Sequence, residues 1–386
     1  GEKKHITDYR SFEMTTPDDI EEAHLAWTKK QGYVLSGGDK AEKLYTAERG
    51  FPFLETDLPH YHLLKGDTHS VFKPQLKSPK LLVAGAWNRP LFSGGWKHSS
   101  DKEERVYNVQ TNNLFIDFRV PRSREKVLGG STATSLDDMS PRELRLYARQ
   151  HIFAGFTVLN HEKERPVATR HHFIDWNFVG ISRPRPNKWW IETNDDVSSW
   201  KEFGYATDEN GQHYYFEQWD RRKNGMPEPR LALRVSPSEK RKSSTAEKKG
   251  SVCQKQDGVL VLVGDHFNYA MSRKFSGKER SFEATSLVDL VDEAVANGDL
   301  ATARSYLSIE GGHGLISKGW TLDCAIPHWN EGKDIATVCD GHLEIVGTDL
   351  VSCRIVFKGL NWDIYDCSFE NIDELKQFLN GSKTTN

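Results

Sequence analysis

The chain reads as a mainly β protein curled into a closed antiparallel barrel, and three stretches carry that expectation. Residues 257–273, DGVLVLVGDHFNYAMSR, run about twice the length of a typical strand with apolar and β-branched character almost throughout. Val259, Val261, Val263 and Asp265 share one face at period two, and Leu260, Leu262 and His266 share the other. Gly264 in the middle reads as a bulge or a bend at a barrel corner. Residues 106–120, VYNVQTNNLFIDFRV, read as a second long strand closed by Pro121. Phe115, Asp117 and Arg119 lie on one face and Leu114, Ile116 and Phe118 on the other, so both faces carry large side chains. A barrel with a polar and aromatic lumen imposes that two-sided demand. Between the two, strand signals recur at short intervals over 152–159, 169–178, 188–193, 199–206, 213–222 and 230–235, separated by turn-rich tips and without alternating helices.

Composition sets the outer limits. The 386 residues can bury a full core. Lys+Arg 52 against Asp+Glu 55 gives a net charge of -3, so no basic surplus points to nucleic acid. No run of about 18 apolar residues exists, so no membrane span is expected. The opening GEKKHITDYR has no apolar signal core. Cys253, Cys324, Cys339, Cys353 and Cys367 are odd in number and confined to the last third, which suits reduced thiols in a cytoplasmic protein. Oligomeric state is not legible in the sequence.

Three segments follow from the pattern: an arm over 1–80, a barrel over 81–332, and strands with a helix over 333–386 that complete or flank it. In the arm, Thr16 caps a short helix with Pro17 at its first position and Ile20, Ala23 and Trp27 on one face. His60, His62 and His69 cluster there, but no cysteine or carboxylate completes a zinc spacing, so they read as ordinary histidines and no metal is expected. From Leu81, LLVAGAW starts the β pattern. Ser140 and Glu143 form a capping box with Pro141 at N1 of a helix whose one side is Leu144, Tyr147, Ala148 and His151. Residues 236–251, SPSEKRKSSTAEKKGS, hold no large apolar side chain and read as a mobile loop. Ser286 caps a helix through Leu287, Leu290 and Val291 that ends at Gly298, and 299–307 reads as a second. Gly311, Gly312, His313 and Gly314 read as a turn. Residues 320–326 are a strand, 359–367 another, and Asn371 with Glu374 caps a final helix stopped at Gly381.

YYFEQWDR (214–221), DGVLVLVGDHFNYAMSRK (257–274) and GLNWDIYDC (359–367), in that order, resemble a small fungal family of casein-kinase-interacting proteins built as lipocalin-like, calycin-type β-barrels. A second set of motifs resembles bacterial proteins with the same barrel: a Trp-x-Arg strand (Trp87, Arg89), a Gln-containing strand ending Asp-x-Arg-x-Pro (Gln110, Asp117, Arg119, Pro121), and Phe153, Ala154 and Gly155. The resemblance spans roughly residues 81 to 367. It implies an antiparallel lipocalin-like β-barrel and carries no catalytic residue with it.

No nucleophile elbow, P-loop, dinucleotide fingerprint or HExxH is present, so no cofactor is expected and the chemistry falls to lumen residues. Trp87, Arg89, Asp117, Arg119, Glu192 and Trp219 are expected to line the lumen and bind a ligand; Glu217, then His172, are the expected acid or base. Tyr215, Glu217, Trp219 and Arg221 share a face; Trp190 shares one with Glu192, and Trp200 with Glu202. Tryptophan alternating with charge suits one flat, partly polar organic molecule, and a carboxyl group among apolar neighbours gains proton affinity. The alternative is a filled barrel whose carboxylates pair with Arg89, Arg119 and Arg221, with Asp117 and Arg119 a structural ion pair. Three functions stay open: binding of an aromatic or isoprenoid-like small molecule, a cofactor-independent isomerase, lyase or cyclase, and a protein-interaction module.

Overall fold

A computed structural model describes residues 83–94, 97–124, 130–160, 166–177, 179, 187–208, 211–236, 256–273, 287–350 and 352–381. The N-terminal arm with His60, His62 and His69, most of the 236–251 segment, and the cap Ser286 lie outside the described residues.

The described chain is mainly β and antiparallel, in two sheets. The first holds β1 (Gly85–Gly94), β2 (Lys97–Ser100), β3 (Glu104–Gln110), β4 (Leu114–Pro121), β5 (His151–Asn160), β6 (Val167–Asp175), β7 (Asn187–Thr193), β8 (Ser199–Asp208) and β9 (Gly211–Arg221). It curls until β1, already paired with β3 through Gly85 to Trp87, pairs also with β9 from Trp87↔Arg221 to Gly94↔Tyr215. A register shift between Asn88 and Leu91 lets β1 serve both neighbours. The helix α1 (Pro141–Tyr147) links β4 to β5, and the expected capping box is present: Ser140 Oγ accepts from the Glu143 N–H while Glu143 reaches back to the Ser140 N–H at 2.8 Å.

The second sheet contains β10 (Arg230–Val235), β11 (Gly258–Val263), β12 (His266–Met271), β13 (Glu310–Leu315), β14 (Thr321–Ala325), β15 (Glu344–Val346), β16 (Arg354–Phe357) and β17 (Leu360–Cys367). Its order, β14-β13-β12-β11-β10-β17-β16-β15, places the C-terminal strands beside β10, and its helices are α2 (Leu287–Ala296), α3 (Leu300–Tyr306), α4 (Ile335–Val338) and α5 (Ile372–Gly381). The break between the sheets therefore falls after Arg221.

Three expectations are corrected. The long strand over 257–273 is the hairpin β11–β12, with Val263 opposite His266 and Gly264-Asp265 as the turn. Gly264 has φ +59, the first position of a type II′ turn, and a Cβ there would stand 2.1 Å from the Asn224 carbonyl oxygen. The stretch 106–120 is likewise a hairpin, β3–β4, turned at Thr111, Asn112 and Asn113; Thr111 Oγ1 accepts the N–H groups of Asn113 and Leu114 at 3.2 and 3.3 Å. The glycine cluster is not a turn but strand β13. A Cβ at Gly314 would meet the Thr321 carbonyl oxygen at 2.3 Å, and one at Gly311 would meet Ile152 Cδ1 at 2.2 Å, so these glycines serve close packing.

The two-sided burial of β4 has its cause in the contact between sheets. Leu114, Ile116 and Phe118 share a core with Val259, Val261 and Val263 of the second sheet, leaving Phe115, Asp117 and Arg119 for the inner face of the first. Leu260, Leu262, Phe267 and Tyr269 turn the other way, into a separate core with Ile355, Trp362 and Leu375. Asn268 bridges the sheets, its Nδ2 donating to the carbonyls of Tyr107 and Ile116 at 3.0 Å each. Its Oδ1 accepts from His313 Nδ1 at 2.8 Å, and burial, then Arg222, drive His313 well below the ordinary histidine range.

Candidate functional site

Strand alternation and cross-strand register fix which side chains face inward on the first sheet. Starting from Asp117, register runs to Asn108 on β3 and Phe153 on β5; Gly155, two residues along β5, faces His172 on β6. On the far side Glu202 of β8 faces Glu217 of β9, and Trp200 faces Trp219. The bulge at Ala154 and Gly155 sets the phase of β6: a Cβ at Gly155 would lie 1.7 Å from the His171 carbonyl oxygen, so only glycine fits.

These strands bring a buried charge network together. Arg89 donates through Nη1 to Glu217 Oε1 at 2.7 Å and through Nη2 to Glu104. Arg119 forks onto Asp117 with Nε at 2.9 Å and Nη2 at 2.8 Å, and its Nη1 lies 3.7 Å from Glu217 Oε1. Arg170 completes the group, 3.4 Å from Asp117 Oδ2 and 3.4 Å from Gln110 Oε1, its guanidinium 4.0 Å above the Phe115 ring. Aromatic rings close one end: Trp200 stacks on Trp219 at 5.2 Å and meets the edge of Trp87 at 6.1 Å.

The network divides its carboxyl groups. Burial works against ionised Asp117, but the Arg119 fork outweighs it and holds the group down at about 2. Glu202 goes the other way, pushed up to about 8 by burial and then by the charge of Glu217; Tyr215 donates its hydroxyl to Glu202 Oε1 at 2.9 Å. With Glu202 protonated, the guanidiniums of Arg89, Arg119 and Arg170 are matched by Glu104, Asp117 and Glu217.

Trp87, Arg89, Asp117, Arg119, His172, Glu217 and Trp219 all face inward on the curled sheet. His172 sits between Phe115 and Phe153 at 5.4 and 5.3 Å, with Nδ1 2.7 Å from Asp175 Oδ2. Glu192 is the exception. It lies opposite Lys201, on the other face from Ile191 and Glu202, because Trp189 belongs to the inward set. Glu217 meets two guanidiniums rather than apolar neighbours alone. Arg221 donates to the Val197 and Gly225 carbonyls and stacks on Trp87 at 4.2 Å.

Sequence reasoning missed Glu104, Arg170 and Gln110 as partners. Arg170 is two residues from His172 and so had to share its face; Glu104 stands in the charged run 101–105, DKEER, where no apolar alternation marks a strand. Among the described residues no group of three or more His, Cys, Asp or Glu is gathered as metal ligands would be, and no helix is long and apolar enough to cross a membrane. No protein-family model, curated protein or solved structure matches this chain.

Proposed function

We propose that the first sheet is a lipocalin-like barrel whose inner face binds one small, flat, largely aromatic or apolar molecule with a hydrogen-bonding end. The observation that carries this reading is a set of buried polar atoms with no partner among the described residues, all on inward-facing side chains. They are both amide atoms of Asn108, Nε2 of Gln110, Oε2 of Glu217, and the indole nitrogens of Trp189, Trp200 and Trp219. Asn108 is fully buried. A buried polar group left unpaired costs about 1–3 kcal/mol, so such groups are rare in folded proteins and their gathering on one face marks a place for a polar partner. The stacked tryptophans supply the flat apolar wall beside them. A second reading, a cofactor-independent isomerase, lyase or cyclase, is favoured by Glu202, an acid still protonated at neutral pH on the same face.

Native mass spectrometry and organic extraction of the purified protein test the binding reading. A stoichiometric small molecule is expected. A mass equal to the chain alone, together with tryptophan fluorescence indifferent to a panel of flat aromatic compounds, would overturn it.

A further inference from the structure

Resting on that reading of the inner face, we infer that Glu202 and Glu217 work as one carboxylic acid–carboxylate pair that moves a proton between carbon and oxygen of a neutral aromatic ketone. The two residues are direct cross-strand partners on β8 and β9, which brings their Cβ atoms to about 4.5–5.5 Å. They are 5 % and 3 % exposed. Two carboxylates so close and so buried do not both ionise, so the pair retains one proton. Its location follows from the contacts: Glu217 Oε1 takes the Arg89 and Arg119 guanidiniums, whereas Glu202 has the Tyr215 hydroxyl. The proton therefore belongs to Glu202, in keeping with its raised proton affinity. The charged groups facing the pair are Arg89 on β1, Glu104 on β3, Asp117 and Arg119 on β4, and Arg170 on β6. They balance when Glu202 is neutral, which suits an uncharged substrate.

The chemistry uses the free oxygen. Glu217 Oε1 is occupied by arginine, but Oε2 is buried and has no hydrogen-bond partner among the described residues. Oε2 takes a proton from the carbon beside the substrate carbonyl. The C–H electron pair becomes the C=C bond, the carbonyl π pair moves to oxygen, and that oxygen takes the proton of Glu202. The product is an enol facing a protonated Glu217 and an ionised Glu202; the reverse step restores both groups, and no oxidant or reductant enters. The Asn108 amide on the same inner face, with a donor and an acceptor both unpartnered, orients the polar end.

Two measurements on the full chain decide the matter. Infrared difference spectra between about pH 6 and about pH 10 should show a protonated carboxyl stretch that disappears around pH 8 and is missing in Glu202→Gln. With 2-tetralone as the probe, quenching of tryptophan fluorescence reports binding, and proton NMR in heavy water reports exchange beside the carbonyl. Exchange above the buffer rate is expected, falling above about pH 8 and reduced about a hundredfold or more in Glu202→Gln and in Glu217→Gln while quenching persists. Absence of the protonated stretch in the unaltered protein overturns the pair. Binding with exchange only at the buffer rate overturns the proton transfer and leaves the binding reading standing. Failure of 2-tetralone to quench overturns the neutral-ketone assignment, while the extraction experiment still decides whether the face holds a ligand.

Discussion

Glu202 and Asp117 lie on the same inner face, yet their surroundings push them in opposite directions, and each leaves a signature in stability against pH. Glu202 is protonated in the fold up to about 8 but ionises near 4.5 when exposed, so folding takes up a proton between those values. Its contribution is fully present below about pH 4.5 and is lost as pH rises toward 8, at up to about 1.4 kcal/mol per pH unit. Glu202→Gln keeps an acceptor for the Tyr215 hydroxyl and removes the titration. The variant should show a flatter melting temperature across that window and a higher one than the parent near pH 9, measured by thermal denaturation. Asp117 has the reverse sign. Its value of about 2, against an ordinary 3.8, makes its contribution present above about pH 3.8 and lost as pH falls through about 2. Asp117→Asn should therefore destabilise the protein at pH 7, by about 2.5 kcal/mol, and lose most of that deficit as pH falls toward 2.

At the scale of elements, the two hairpins explain both what the sequence disclosed and what it hid. Strands over 152–235 were legible because each alternates and is bounded by turn residues. β11 and β12 merged into one strand because the apolar run continues through a two-residue turn, and Gly264 admits either a bulge or a hairpin until φ is known. The same happened at Thr111, whose turn depends on a side-chain hydroxyl accepting two backbone N–H groups. The inward set survived these errors because period two persists inside each arm. Glu192 was misplaced because adjacent tryptophans gave no way to choose the phase of β7. Gly264→Ala should destabilise the chain by at least about 1 kcal/mol, from strain at φ +59 and the clash with Asn224, in urea unfolding. A variant as stable as the parent would mean that the turn relaxes to another type.

At the scale of the molecule, the two sheets share one core through Val259, Val261 and Val263 against Leu114, Ile116 and Phe118, and Asn268 ties their backbones together. Unfolding should accordingly be a single transition, with tryptophan fluorescence and far-ultraviolet circular dichroism superimposing in urea. Asn268→Ala removes the donors of two interior carbonyls and the acceptor of His313. It should lower stability by about 1–3 kcal/mol, and a separation of the two curves in that variant would identify Asn268 as the tie between sheets. The ladder between β1 and β9 has a further consequence, one of time rather than strength. It joins β1 to β9, the first and last strands of that sheet in the chain, whereas most other ladders in the sheet join strands adjacent in the chain. Hairpins zip early because their ends are already near; the seam must wait until the intervening strands have gathered its two edges. Substitutions at the seam, such as Phe92→Ala, should chiefly accelerate unfolding in stopped-flow experiments and leave the refolding rate almost unchanged, so the last ladder to form is the first to open.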